Sequence, residues 1–211
     1  MKKIMFNDSY GLTKAVLNGT KTMTRRIGEK YLTELIKGHE NDFTVTSQRA
    51  CPKHLVVESP QLPHGICLWL GTKYRLGEVI AVAQSYNTIC TDFEKLNEVR
   101  CMCGRDVTKD KSWLNKMFVR PDLMPHQIQL TDIKIERLQD ISDEDCLKEG
   151  IIQSVDGVNM YTFDGWIKKG YQQDSYTSPR KAFASLLDRI SCKGTWQSNP
   201  IVVAYSFRLI K

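Results

Sequence analysis

QIQLTDIKIERL, residues 127–138, is the stretch on which the fold turns. Ile128 and Leu130 are spaced two apart, the period of a strand with one buried face. Ile133 and Ile135 resume that alternation one position out of phase. A one-residue slip turns an apolar set to the opposite face, so the spacing predicts one long strand with a bulge near Thr131–Asp132. Just downstream, Ser142 opens a helix with Asp143, Glu144 and Asp145 in its first turn, where the backbone dipole favours negative charge. Gly150 ends that helix.

Working outward, Glu78–Tyr86 reads as a strand. Its VIAVA run is apolar on both faces, as in the middle of a sheet, and Gly77 supplies the turn into it. Ile66–Leu70 reads as another strand. Ser178-Pro179 starts the clearest helix, on which Phe183, Leu186, Leu187 and Ile190 recur at helical spacing. Ile201–Leu209 is a last strand with Ile201, Val203, Tyr205, Phe207 and Leu209 on one face. At the other end, Ser9–Asn18 reads as a short helix capped by Ser9 and stopped by Gly19. Tyr31–Lys37 is a further short helix. Residues 38–65, with Pro52, Pro60 and Pro63, look irregular. Residues 87–126 read as a long excursion from the core, either an inserted hairpin or a mobile loop. Strands and helices mix without a βαβ rhythm. That predicts an α+β protein with a curved, mainly antiparallel sheet or small barrel and helices packed around it.

The 211 residues fit a single domain, 1–211, with insertions at about 38–65 and 87–126. Hydrophobic residues make up 41%, enough for a real core. The formal net charge of +6 is compatible with a polyanionic partner. Much of the excess lies in the first 30 residues, where seven lysines and arginines face Asp8 and Glu29. The basic start MKKIMFNDSYG has no apolar signal-peptide core, and no stretch approaches the 18 apolar residues of a membrane span. Seven cysteines without framework spacing point to reduced thiols and a cytoplasmic protein, not associated with membrane. Cys101-Met-Cys103 stands alone, without the paired elements or regular His ligands of a zinc site, so neither metal nor cofactor is expected.

Gly19–Arg26, reading GTKTMTRR, gathers one amine, three hydroxyls and two guanidiniums directly after a helix. Arginine forks and threonine hydroxyls suit phosphate or nucleoside contact. The bland alternative is a solvated edge strand.

A short helix, then G-T-K-T-M-T-R-R, then Gly77-Glu78 before an apolar strand, resembles the ASCH family of the PUA-like superfamily. Ile135–Ser142 followed by Cys146–Ile151 is similar to phage- and prophage-associated members of that family. Ala182–Leu186, Gly194-Thr-Trp196 and Asn199-Pro200 before the last strand also fit. The resemblance implies a small PUA-like curved β-barrel with surrounding helices and a cleft for RNA or a modified nucleoside. Some small members are amidohydrolases that remove the acetyl group of N4-acetylcytidine with a Lys-Thr-Glu set, which falls here on Lys21, Thr24 and Glu149. Thr22, Arg25 and Arg26 then become candidate substrate- or RNA-binding residues, with Glu78 a weaker one and Trp196 the best of the stacking candidates Trp69, Trp166, Trp196 and Tyr205.

That set makes chemical demands. A threonine hydroxyl attacks only when a base takes its proton. Lys21 serves as that base only when neutral. Burial and neighbouring arginines favour the neutral form, whereas a nearby Glu149 opposes it. Glu149 is easier to understand as a group that binds the substrate amino nitrogen or passes a proton to it. In an extended strand, positions 21 and 24 point to opposite faces, so a shared site requires a bend between them. A non-catalytic RNA-binding module and a ribonuclease remain open as alternative functions.

Overall fold

The computed structural model describes residues 1–28, 44–45, 57–58, 72–154, 160–163 and 174–210. In chain order the elements are β1 (Lys2–Ile4), α1 (Leu12–Leu17), β2 (Met23–Ile27), β3 (Thr44–Val45), β4 (Val57–Glu58), β5 (Val79–Val82), α2 (Tyr86–Ile89) and α3 (Phe93–Cys103). Then come β6 (Gln127–Arg137), α4 (Asp143–Lys148), β7 (Ile151–Gln153), β8 (Tyr161–Phe163), α5 (Pro179–Ile190), α6 (Thr195–Ser198) and β9 (Ile201–Leu209). The expected helix over Tyr31–Lys37, the strand at Ile66–Leu70, Trp69 and Trp166 lie outside the described residues, as does most of 38–65.

The protein is mixed α+β. Its main sheet has five strands in the order β1-β5-β6-β9-β2. The β1–β5 pair is parallel and the other pairs are antiparallel. The long strand β6 is at the centre. Its register against β9 shifts between Leu130 and Asp132, so the phase change in the apolar pattern is a bulge. On one side of it Ile128 and Leu130 are buried, and on the other Ile133 and Ile135. They join Val203, Tyr205 and Phe207 of β9 and Phe183, Leu186 and Leu187 of α5 in the principal core.

Among the described residues the sheet does not close into a barrel, because β1 and β2 pair on one side only. The edges nevertheless come near each other: the guanidinium of Arg26 on β2 donates to the carbonyl of Met5, just beyond β1, at 2.6 Å. Side chains bridge the gap where a closed barrel would have a backbone ladder.

Local signals explain most element ends. Ser142 and Ser178 cap α4 and α5 through their hydroxyls, and Pro179 occupies the first turn of α5. Three expectations are corrected. Helix α1 is preceded not by a Ser9 cap but by Gly11 at φ 64°, and the Ser9 N–H is engaged by the Asn7 side chain. The strand expected over Glu78–Tyr86 ends at Val82, and Tyr86 begins a helix. The excursion 87–126 is helical, neither hairpin nor loop. Asp92 caps α3, Gly104 terminates it in the left-handed region, and four single-turn 3₁₀ segments follow between Val107 and Leu123. Tyr86, Val99, Val107 and Val119 give this lobe its own buried cluster. Its pieces are too short for periodicity to reveal from sequence. Among the described residues, no helix is long and apolar enough to cross a membrane.

Candidate functional site

The KTMTRR segment is divided by the backbone. The chain leaves α1 through a turn in which both Thr20 and Lys21 N–H groups bond to the Ala15 carbonyl, and Gly19 adopts φ 75°. The strand starts only at Met23, so Lys21 lies before it. This is the bend that a shared site requires: Lys21 and Thr24 line the same cleft despite their spacing.

Lys21 and Thr22 together close the end of α4. The Thr22 N–H donates to the Lys148 carbonyl at 2.9 Å, and Lys21 Nζ donates to the Glu149 carbonyl at 2.6 Å. The last carbonyls of a helix have no partner within it, and a cation there also meets the negative end of the dipole. Glu149 is the residue after α4, and Lys21 Nζ also reaches its carboxylate Oε2 at 2.6 Å. Both side chains are buried, 2% and 5% exposed. Burial is the largest influence on Lys21 and lowers its pKa; Glu149 raises it, and Arg26 and Arg25 lower it again. The net direction is down, so burial prevails over Glu149.

Gly150 follows, packed against Leu12 and Lys21. It holds φ 101°, and a methyl group there would meet Leu12 Cδ2 at 3.3 Å and Lys21 Cδ at 3.6 Å. Gly150→Ala is therefore expected to cost about 1–3 kcal/mol, chiefly from backbone strain at this positive φ, with a tight contact to Leu12. Denaturant unfolding would check this, and an unchanged midpoint would refute it.

Beyond Met23, adjacent residues alternate sides. Thr24 pairs in register with Tyr205 and Arg26 with Val203, on the core face of the sheet; Arg25 pairs with Ala204 on the other face. Thr24 is buried and lines the cleft. Arg26 is exposed at the cleft mouth, with its guanidinium 5.9 Å from the Phe6 ring centroid. Lys21 Nζ is 5.9 Å from the same ring. Arg25 crosses β9 above Ala204, whose methyl group leaves room for it, and reaches Glu136 on β6. Its Nε and Nη2 contact Glu136 Oε1 at 2.7 and 2.6 Å, Nη2 contacts Asp145 Oδ2 at 3.0 Å, and Nη1 contacts Glu149 Oε1 at 3.2 Å. Burial works against its charge, but Glu149 and Glu136 outweigh this and raise its pKa. Asp145 is likewise held below its ordinary value: partial burial raises it, and hydrogen bonds from Lys148 and Arg25 more than compensate.

The cleft encloses about 480 Å³, within the range of small-molecule sites. Its lining includes the polar Lys21, Thr24, Arg25, Arg26 and Glu149 and the apolar Phe183, Leu187 and Val202.

The remaining candidates lie elsewhere. Glu78 pairs with Lys2 and accepts from the Arg75 N–H, organising the turn into β5, and does not line the cleft. Trp196 is not in a loop but on α6. It packs edge-on against Phe183 at 6.3 Å, is held by a bond from its backbone N–H to Asp188 Oδ1, and does not line the cleft. Tyr205 is buried in the core. Cys101 and Cys103 fall two apart on α3, pointing to different sides of the helix. Sequence reasoning missed Glu136 and Asp145 as partners of Arg25. The signal for Glu136 was a carboxylate among the buried positions of β6.

Comparison with protein-family models, curated proteins and solved structures finds no match to this chain.

Proposed function

We propose that this protein is an amidohydrolase of the ASCH type that binds an N4-acylated cytidine, free or within RNA, and releases the acyl group. The observation that carries this reading is the convergence of Lys21, Thr24 and Glu149 on one cleft, with Lys21 Nζ 2.6 Å from a Glu149 side chain 128 residues away. The resemblance of GTKTMTRR and Cys146–Ile151 to that family supports it, and the curved sheet is compatible with a PUA-like barrel opened at one seam.

In the proposed reaction the Thr24 hydroxyl attacks the amide carbonyl, and neutral Lys21 takes its proton. The C–N bond then breaks. The proton passes along the Lys21–Glu149 contact to the departing amino nitrogen, yielding cytidine and an acyl-threonine ester. Water hydrolyses that ester, with Lys21 again accepting a proton, and releases the carboxylic acid. Two Lys21 donors are already directed at Glu149, which orients its remaining position. In this reading Arg26, exposed at the mouth beside Phe6, contacts a phosphate or base edge of the substrate.

Incubation of purified protein with N4-acetylcytidine, followed by chromatography, tests the reading. Cytidine and acetate are expected in equal amounts. Salt-dependent RNA binding without turnover would replace it with the RNA-binding module, and cleavage of a labelled RNA would replace it with a ribonuclease.

A further inference from the structure

Arg25 is the most heavily committed cation near the cleft, and the proposed chemistry does not use it. Its side chain leaves β2 on the face opposite Thr24 and Arg26, though Arg25 also lines the cleft, and it contacts Oε1 of the carboxylate whose Oε2 contacts Lys21. The two oxygens of Glu149 are thus divided between two cations. Arg25 is anchored at its other end by Glu136 on β6 and by Asp145 on α4, so one planar group ties the central strand, the edge strand and the short helix together. A carboxylate held by Lys21 alone could swing about its side-chain torsions; gripped on both oxygens it has one orientation.

We infer that Arg25 is a positioning residue that fixes the Glu149 carboxylate against Lys21 and thereby sets the geometry of the proton path, a role that rests on the proposed amidohydrolase reading for its catalytic consequence. Arg25 acts through Glu149: its guanidinium is held by Glu136 and Asp145 and grips the Glu149 carboxylate. It replaces the nucleic-acid contact that its place in TRR suggested: at most 8% of the residue is exposed and its donors face carboxylates.

The test compares wild type with Arg25→Lys and Arg25→Met, using two readouts. The first is the split of kcat and KM on N4-acetylcytidine. Misplacing Glu149 should lower kcat about 10- to 100-fold with KM little changed, in both variants. The second is independent of turnover: the pH titration of Lys21, followed by NMR in protein carrying isotope-labelled lysine and assigned with Lys21→Met. The charged groups acting on Lys21 are Glu149, Arg26 and Arg25, and Arg25 opposes its protonation. Arg25→Met removes that repulsion and frees Glu149 for Lys21 alone, so the titration should move to higher pH. Arg25→Lys keeps the charge without the fork, so its titration should move less while kcat still falls. Thermal unfolding identifies the variants that are folded, and Arg25→Lys serves if Arg25→Met is not. Full kcat and an unmoved Lys21 titration in a folded variant would overturn the inference. Absence of turnover in wild type would overturn the amidohydrolase reading, while the Lys21 titration would still decide whether Arg25 positions Glu149.

Discussion

Lys21→Ala is expected to lower hydrolysis of N4-acetylcytidine by about 10²–10⁴-fold, the contribution of a positioned general base. Thr24→Ala should lose at least as much, since it removes the attacking atom, while Thr24→Ser should retain part of the rate. The cleft also predicts a pH dependence. Lys21 acts as a base only when deprotonated, so the rate rises with pH and levels off once the amine is neutral. Burial lowers its pKa, which places the rise below the pH at which a solvent-exposed lysine titrates, about 10.4. Steady-state rates across pH, with folding verified by circular dichroism, measure both effects. Hydrolysis that persists unchanged in Lys21→Ala would sink the mechanism.

Glu136→Ala is expected to destabilise the protein by about 3–5 kcal/mol, the cost of removing one partner from a buried ion pair. Glu136 gives Arg25 its two shortest contacts, at 2.6 and 2.7 Å, and its side chain is 4% exposed. Without it Arg25 remains buried on β2 and must be neutralised by Asp145 and Glu149 alone. Glu136→Gln preserves shape and one acceptor, so it should fall between wild type and Glu136→Ala. Urea unfolding of the three proteins checks the order. A cost below about 1 kcal/mol for Glu136→Ala, typical of an exposed pair, would show that the network is not the tie between β6 and β2.

Several elements were legible because their determinants are local. The phase change between Leu130 and Ile133 specified the bulge in β6, since a strand's period of two allows no other way to keep both halves buried. Ser142, Gly150 and Ser178-Pro179 marked the limits of α4 and the start of α5 for the same reason: capping depends on a few neighbouring residues. The helical lobe after β5 was not legible, because its short 3₁₀ segments carry no period and are held by contacts with Tyr86 and Val119 that the chain makes only once folded.

The site divides along the same line. Sequence by itself determined that GTKTMTRR is a concentrated set of amines, hydroxyls and guanidiniums following a helix, and that Glu149 ends an acidic one. Tertiary structure alone decided which of those groups meet. It put the bend before Met23, brought Lys21 to the end of α4, sent Arg26 to the cleft mouth, and turned Arg25 to the opposite face to hold Glu136, Asp145 and Glu149. The physical reason is distance along the chain: composition and capping act over a few residues, whereas the Lys21–Glu149 contact spans 128 residues and exists only because β2 pairs with β9 and α4 packs over the sheet edge.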